Sequence, residues 1–130
     1  MARKLVTLTI LDSNVLIDAI RNRQPALLFL DAAATAGALW SSVLVRSELW
    51  VGSRPGEDGR IEELIGRIAW HDVTPSIADH AGRLGVPYRL THHIGVVDLV
   101  IAATAIELGG TVATLNVRDF PMFPGLQPPY

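Results

Sequence analysis

Leu5-Val6-Thr7-Leu8-Thr9-Ile10-Leu11-Asp12-Ser13-Asn14-Val15-Leu16 changes its hydrophobic rhythm at the aspartate. Up to Leu11 the residues are those of a strand, rich in leucine, valine and threonine with an apolar finish. Beyond it, Val15, Leu16, Ala19 and Ile20 recur at helical spacing. A strand that delivers a carboxylate and turns at once into a helix opens an α/β unit. Asp12 then lies beyond a strand's carboxyl end, where parallel sheets form ligand crevices. It suits a helix N-cap or a turn equally well.

The alternation continues outward. A second helix is predicted from about Pro25, carrying Leu27, Leu28, Leu30 and Ala34 and stopping at Gly37. Ala38 to Ser41 is short enough for a buried strand. Ser41 or Ser42 can cap a helix bearing Leu44, Val45, Glu48, Leu49 and Val51, with Gly52 at its end. Residues 53–59 form a loop by composition. Further helices are predicted over 60–69, with Ile61, Leu64, Ile65 and Ile68, and from Thr74-Pro75, with Ile77, Ala81 and Leu84. Val97, Ile101, Thr104, Ala105 and Leu108 mark one face of a last helix, which Gly109-Gly110 ends. Thr111 to Thr114 reads as a strand, and the tail from Pro121 holds too many prolines for a regular element. The expected architecture is a single α/β domain over 1–130, built around a mainly parallel sheet.

With 49% hydrophobic residues in a chain of 130, one core can form without disulfides or a structural metal. The absence of cysteine excludes thiolate metal sites and cysteine nucleophiles, and fits a reducing cytoplasm. No apolar run approaches the roughly 18 residues of a membrane span. The apolar start contains two threonines and runs into Asp12 without a small-residue cleavage site, so a soluble cytoplasmic protein is expected. The formal net charge of −2 at first disfavours a nucleic-acid partner. If four of the thirteen acids are committed to metal, nine remain against eleven basic residues, and the rest of the protein is at +2.

Four acids stand out by position. Glu48 lies in an otherwise apolar helix, where an unpaired charge is costly and a salt bridge or a metal would satisfy it. Asp98 occupies the first turn of the last helix, where free amides favour negative charge, with the small Ala102 and Ala105 one and two turns on. Asp119, with Asn116, follows the Thr111 to Thr114 strand, as a turn residue or as another group beyond a strand end. Two acids beyond strand ends and two on flanking helices can converge on one crevice. Hard oxygen donors without cysteine or a paired-histidine motif point to magnesium or manganese rather than zinc. Such an ion activates water against a phosphodiester.

The ordered segments resemble those of PIN domains. Leu11-Asp12-Ser13-Asn14-Val15-Leu16-Ile17-Asp18 is similar to the family's opening motif, and Ser47-Glu48-Leu49 to its central glutamate segment. Asp98-Leu99-Val100-Ile101-Ala102-Ala103-Thr104-Ala105 resembles the third-acid helix, and Thr114-Leu115-Asn116-Val117-Arg118-Asp119-Phe120 the closing segment. At this length the chain looks like a VapC toxin of a toxin–antitoxin pair. The resemblance implies a three-layer α/β/α sandwich and an endoribonuclease using one or two Mg2+ or Mn2+ ions. It further implies a homodimer, a VapB-like antitoxin as partner, and a structured tRNA or ribosomal RNA as substrate. Carried over by position, Asp12, Glu48, Asp98 and Asp119 form the catalytic, metal-holding cluster, while Ser13, Asn14 and Asn116 position substrate or water. Leu115 departs from the arginine that many relatives carry before the closing asparagine, which touches the substrate assignment and leaves the acids intact.

Two other functions compete. A catalytically silent PIN-like module that binds RNA or protein would be marked by loss of acids, and all four are present. A haloacid-dehalogenase-type phosphatase would carry a second aspartate where this chain has Asn14. His92 and His93 sit in a polar loop before Asp98, either touching RNA or silent. Trp40, Trp50 and Trp70 suit core or interface packing better than base stacking. Arg46 can pair with an acid or face phosphate. Arg21, Arg23 and Arg118 are candidates for phosphate steering, and Asp18 and Asp31 read as solvated helix residues.

Overall fold

The computed structural model describes residues 8–130. Leu5 to Thr7 of the expected first strand lie outside the described residues, and the strand runs over Thr9–Leu11 (β1). Asp12 then caps helix α1, Ser13–Ile20, by accepting from the Ser13 amide. Val15, Leu16, Ala19 and Ile20, the predicted stripe, are all buried. Helix α2, Gln24–Ala36, starts with proline in its first turn and ends at Gly37. It turns Ala26 and Leu30 inward and leaves Leu28 59% exposed, so Leu28 is no core residue.

Strand β2, Trp40–Ser42, lies slightly later than expected, and the Ser42 hydroxyl caps helix α3, Val43–Val51. Val45 and Leu49 are its buried residues, whereas Val51 is 88% exposed. Helix α4, Asp58–Arg67, ends earlier than predicted because residues Ala69–His71 form an additional strand, β3. Helix α5, Pro75–Gly85, carries a Thr74 cap whose hydroxyl accepts from Ile77. A 3₁₀ turn, Val86–Tyr88, follows, then helix α6, Val96–Glu107, and strand β4, Thr111–Ala113. The tail has no regular element, as its prolines require.

The four strands lie in the order β3-β2-β1-β4, and every pairing is parallel. The chain walks from β1 to β2 to β3 in one direction and then returns across the sheet to β4. Right-handed crossovers therefore put α1 to α4 on one face and α5 and α6 on the other. This is the expected α/β/α sandwich. Helix α6 is buried at every residue from Leu99 to Ala105, so it is central and apolar all round rather than along the single predicted stripe. Beyond it Gly109 turns with φ of 70°, and Gly110 passes so close to β1 that a Cβ would lie 2.2 Å from the Leu8 carbonyl oxygen. That approach sets β4 beside β1. Among the described residues no helix is long and apolar enough to cross a membrane.

Candidate active site

In a parallel sheet of this order the walk reverses between β1 and β4, and the crevice at their carboxyl ends is where ligands bind. Asp12 emerges at the end of β1, and Asn116 and Asp119 follow β4 directly. Glu48 sits on α3, which leaves β2 at the same end, and Asp98 opens α6. Four separate segments thus bring their acids to one end of the sheet.

The carboxylates feel one another. Asp98 is the most affected: burial first, then Asp12, Asp119 and Glu48, push its carboxyl from 3.8 up to about 7. Asp12 is only 4% exposed, and burial raises it while Asp119 adds to the rise. Glu48 is raised by burial and by Asp12, an effect opposed by the Ser13 hydroxyl. Each raised value means that the charged form is held against a cost, through lost hydration and like-charge repulsion.

Asp12 is also the best anchored. The Ser13 amide donates to its Oδ1 at 2.7 Å, and the Thr114 hydroxyl donates to Oδ2 at 2.7 Å. Asn14 Nδ2 reaches Oδ2 at 3.4 Å and Thr114 Oγ1 at 3.3 Å, while its Oδ1 accepts from the Leu115 amide at 3.1 Å. The Asn116 amide donates to Thr114 Oγ1 at 3.0 Å. Opening and closing motifs are therefore laced together around one carboxylate. Asn116 enters this lattice by its backbone, with an exposed residue surface.

Thr114, fully buried at the centre of the lattice, was not singled out by sequence reasoning. Its signal was available: a hydroxyl closing an apolar strand, two residues before Asn116. Leu115, standing where many relatives carry arginine, packs its side chain on the core, and its amide, which any residue but proline supplies, holds Asn14.

Could this set hold a divalent ion? Among the described residues no three acid or histidine side chains meet closely enough to clasp one as they stand. The chemistry of the set fits nonetheless. Every donor is a hard oxygen, the acids oppose one another's ionisation, and Glu48 Oε1 is buried with no hydrogen-bond partner. A buried carboxylate oxygen without a donor is costly, and a cation relieves it.

Other residues singled out in the sequence go elsewhere. Arg21 pairs with Glu57 at 3.4 Å and donates to the Gly52 carbonyl, so it is committed to the 53–57 loop rather than to phosphate. Arg23 lies 3.7 Å from Asp18, which also accepts from the Tyr130 hydroxyl at 2.8 Å. Asp18 is thus a structural anchor, whereas Asp31 is the solvated residue expected, 75% exposed. Arg46 lies over the ring of Trp70 at 5.4 Å instead of pairing with an acid. Trp40 and Trp70 pack against the core, and Trp50 is partly exposed. Arg118 stands exposed beside Asp119.

Residues 9–123 match the PIN domain family. The chain is 41% identical over 123 residues to Ribonuclease VapC19 of Mycobacterium tuberculosis, covering 93% of this chain and 98% of that relative. It is 38% identical over 122 residues to Ribonuclease VapC10 of the same organism, covering 93% and 92%. Among solved structures it resembles a toxin–antitoxin complex from Klebsiella pneumoniae, with TM-score 0.78 and 26% identity over 94% of this chain and 98% of that one. VapBC2 from Rickettsia felis, solved on a DNA fragment from its promoter, shares the fold with TM-score 0.78 at 24% identity over 92% and 95%.

Proposed function

The chain belongs to the PIN-domain family, and from that premise we propose that it is a VapC-type toxin, an endoribonuclease that hydrolyses RNA phosphodiesters. The observation that carries the reading is the electrostatic coupling of Asp98 to Asp12, Asp119 and Glu48 at the carboxyl end of β1 and β4, with a Glu48 oxygen buried and unpartnered.

Asp12, Glu48, Asp98 and Asp119 are the residues that would hold Mg2+ or Mn2+. When bound, the ion offsets their charge and that developing on the phosphate, and activates water for attack. The chain's own part is preorganisation. Thr114 and the Ser13 amide fix the direction of Asp12 before substrate arrives, so that no reorganisation is needed at the moment of reaction. Asn14 ties Asp12 to the loop bearing Asn116 and Asp119, which keeps the two sides of the crevice in register. Glu48 and Asp98 approach from the helices. Ser13, Asn14 and Asn116 border the crevice and orient substrate or water. The expected products carry 5′-phosphate and 3′-hydroxyl ends.

The reading includes a VapB-like antitoxin as partner, a homodimer, a structured tRNA or ribosomal RNA as substrate, one domain throughout, and a cytoplasmic location. The named toxin–antitoxin relatives support the partner most directly. The test is cleavage of labelled RNA by purified, antitoxin-free protein with magnesium, manganese or EDTA, alongside Asp98→Asn. Discrete cuts that require metal and vanish in the variant are expected. Folded, metal-loaded protein that binds RNA and never cuts it would make the chain a silent binding module instead.

A further inference from the structure

Resting on the ribonuclease reading, we propose that the cleft where α5 meets the segment before α6 is a stacking slot for one base of single-stranded RNA, next to the scissile phosphate. The cleft has a volume of about 240 Å³, and Gly82, Gly85, Tyr88, Arg89, His92 and Leu99 are among its lining residues. Leu99 directly follows Asp98, so the cleft lies beside the first turn of α6, the turn that carries this acid. A nucleotide whose phosphate rests at the acids has its neighbour beside this opening.

The lining matches a base. Unstacked bases are bound on aromatic, histidine and guanidinium planes. Tyr88 and His92 form an edge-to-face pair with ring centroids 5.3 Å apart and planes at 83°. Their arrangement is set by the chain: the Tyr88 carbonyl accepts from the Thr91 and His92 amides at 3.1 and 2.8 Å. The Thr91 hydroxyl lies 2.9 Å from His92 Nδ1. Arg89 is exposed and, among the described residues, has no ion-pair partner. A Cβ at Gly82 would meet no atom within 4 Å, so that position is open, whereas Gly85 packs directly under Leu99, whose Cδ1 lies 2.8 Å from where a Cβ would stand.

Charge placement favours RNA over a protein segment. Four acids repel a phosphate backbone, so attraction must come from their surroundings, and the exposed guanidinium of Arg89 stands in the segment leading to Asp98.

The measurement is fluorescence anisotropy of a short labelled oligoadenylate, made with the full chain carrying Asp98→Asn to prevent cutting. Gly82→Leu fills the slot where the fold has room, and leucine is the better helix former. Its melting temperature should equal or exceed that of the parent while RNA affinity falls about ten-fold. Tyr88→Leu should cost a similar factor, and Tyr88→Phe should bind as the parent does. An abasic phosphodiester chain of equal length should bind parent and variants alike. Unchanged oligoadenylate affinity in Gly82→Leu and Tyr88→Leu overturns the proposal. So does a loss confined to self-association or to antitoxin binding, which makes the cleft a protein contact. The ribonuclease reading fails separately, on the absence of metal-dependent cutting by the unsubstituted chain. Base-dependent binding in that case leaves an RNA cleft with no scissile phosphate beside it, and the proposal falls too.

Discussion

Removing the charge at Asp98 should stabilise the metal-free protein at neutral pH while abolishing cleavage. Burial, then Asp12, Asp119 and Glu48, raise this carboxyl from 3.8 to about 7. The folded protein therefore keeps a proton there that the unfolded chain has already released, across the window from about pH 4 to about pH 7. Where the folded state binds more protons, stability falls as pH rises. The loss begins above the unfolded value and is complete above the folded one. About three decades at ~1.4 kcal/mol each give ~4 kcal/mol. Asp98 is only partly buried, and solvent screening reduces this to about 2 kcal/mol.

Asparagine has nearly the same shape and does not ionise, so Asp98→Asn lacks this slope. Urea unfolding in EDTA, at about pH 4 and about pH 8, reads it directly. Relative to the variant, the parent should lose about 2 kcal/mol between the two. With a slope of about 1–3 kcal/mol per molar urea, that is a relative midpoint shift of about 1 M. Added magnesium should raise the parent's midpoint through binding to the folded state and affect the variant much less. Parallel pH dependences, or a variant less stable than the parent at the higher pH, would refute the reasoning, because Asp98 would then carry no burden of buried charge.

Three further outcomes are expected. Thr114→Val keeps the shape but removes the donor to Asp12 and the acceptor used by Asn14 and Asn116. It should cost about 2 kcal/mol in thermal unfolding and reduce cleavage at least about ten-fold, with Thr114→Ser restoring both. Gly110→Ala drives a Cβ into the Leu8 carbonyl at 2.2 Å. It should cost at least about 2 kcal/mol in urea unfolding, since backbone on both sides must shift. Tyr130→Phe loses the 2.8 Å bond to Asp18 and should cost about 1 kcal/mol, leaving the cleavage rate of folded protein unchanged.

The parts of the fold legible in the sequence were those set by local chemistry. Thr74 and Ser42 mark helix starts through the orphan groups they satisfy, Gly37 marks the end of α2, and all three stand where expected. Strand β3 was missed because Ala69-Trp70-His71 is too short to show a period, and its pairing comes from β2. Leu28 and Val51 look like core residues by type, but which side of a helix faces the sheet is set by tertiary packing. The acids were visible by their order along the chain. Thr114 was not, because its role depends on β4 lying beside β1, a pairing between residues a hundred positions apart.

That pairing explains how the crevice tolerates its own repulsion. Asp12, Asp98 and Glu48 each ionise at a cost, so their geometry must be held by something that does not depend on them. Gly110 lets β4 close on β1, and Thr114 and Asn14 then lock the two strand ends around Asp12. Beneath them α6 is buried on every side through its middle, so Asp98 rides on the least yielding element of the fold. Rigid support under mutually repelling carboxylates is what a site for a divalent ion needs. Relaxation that separated the acids would relieve the metal-free protein and weaken its grip on the cation by the same displacement.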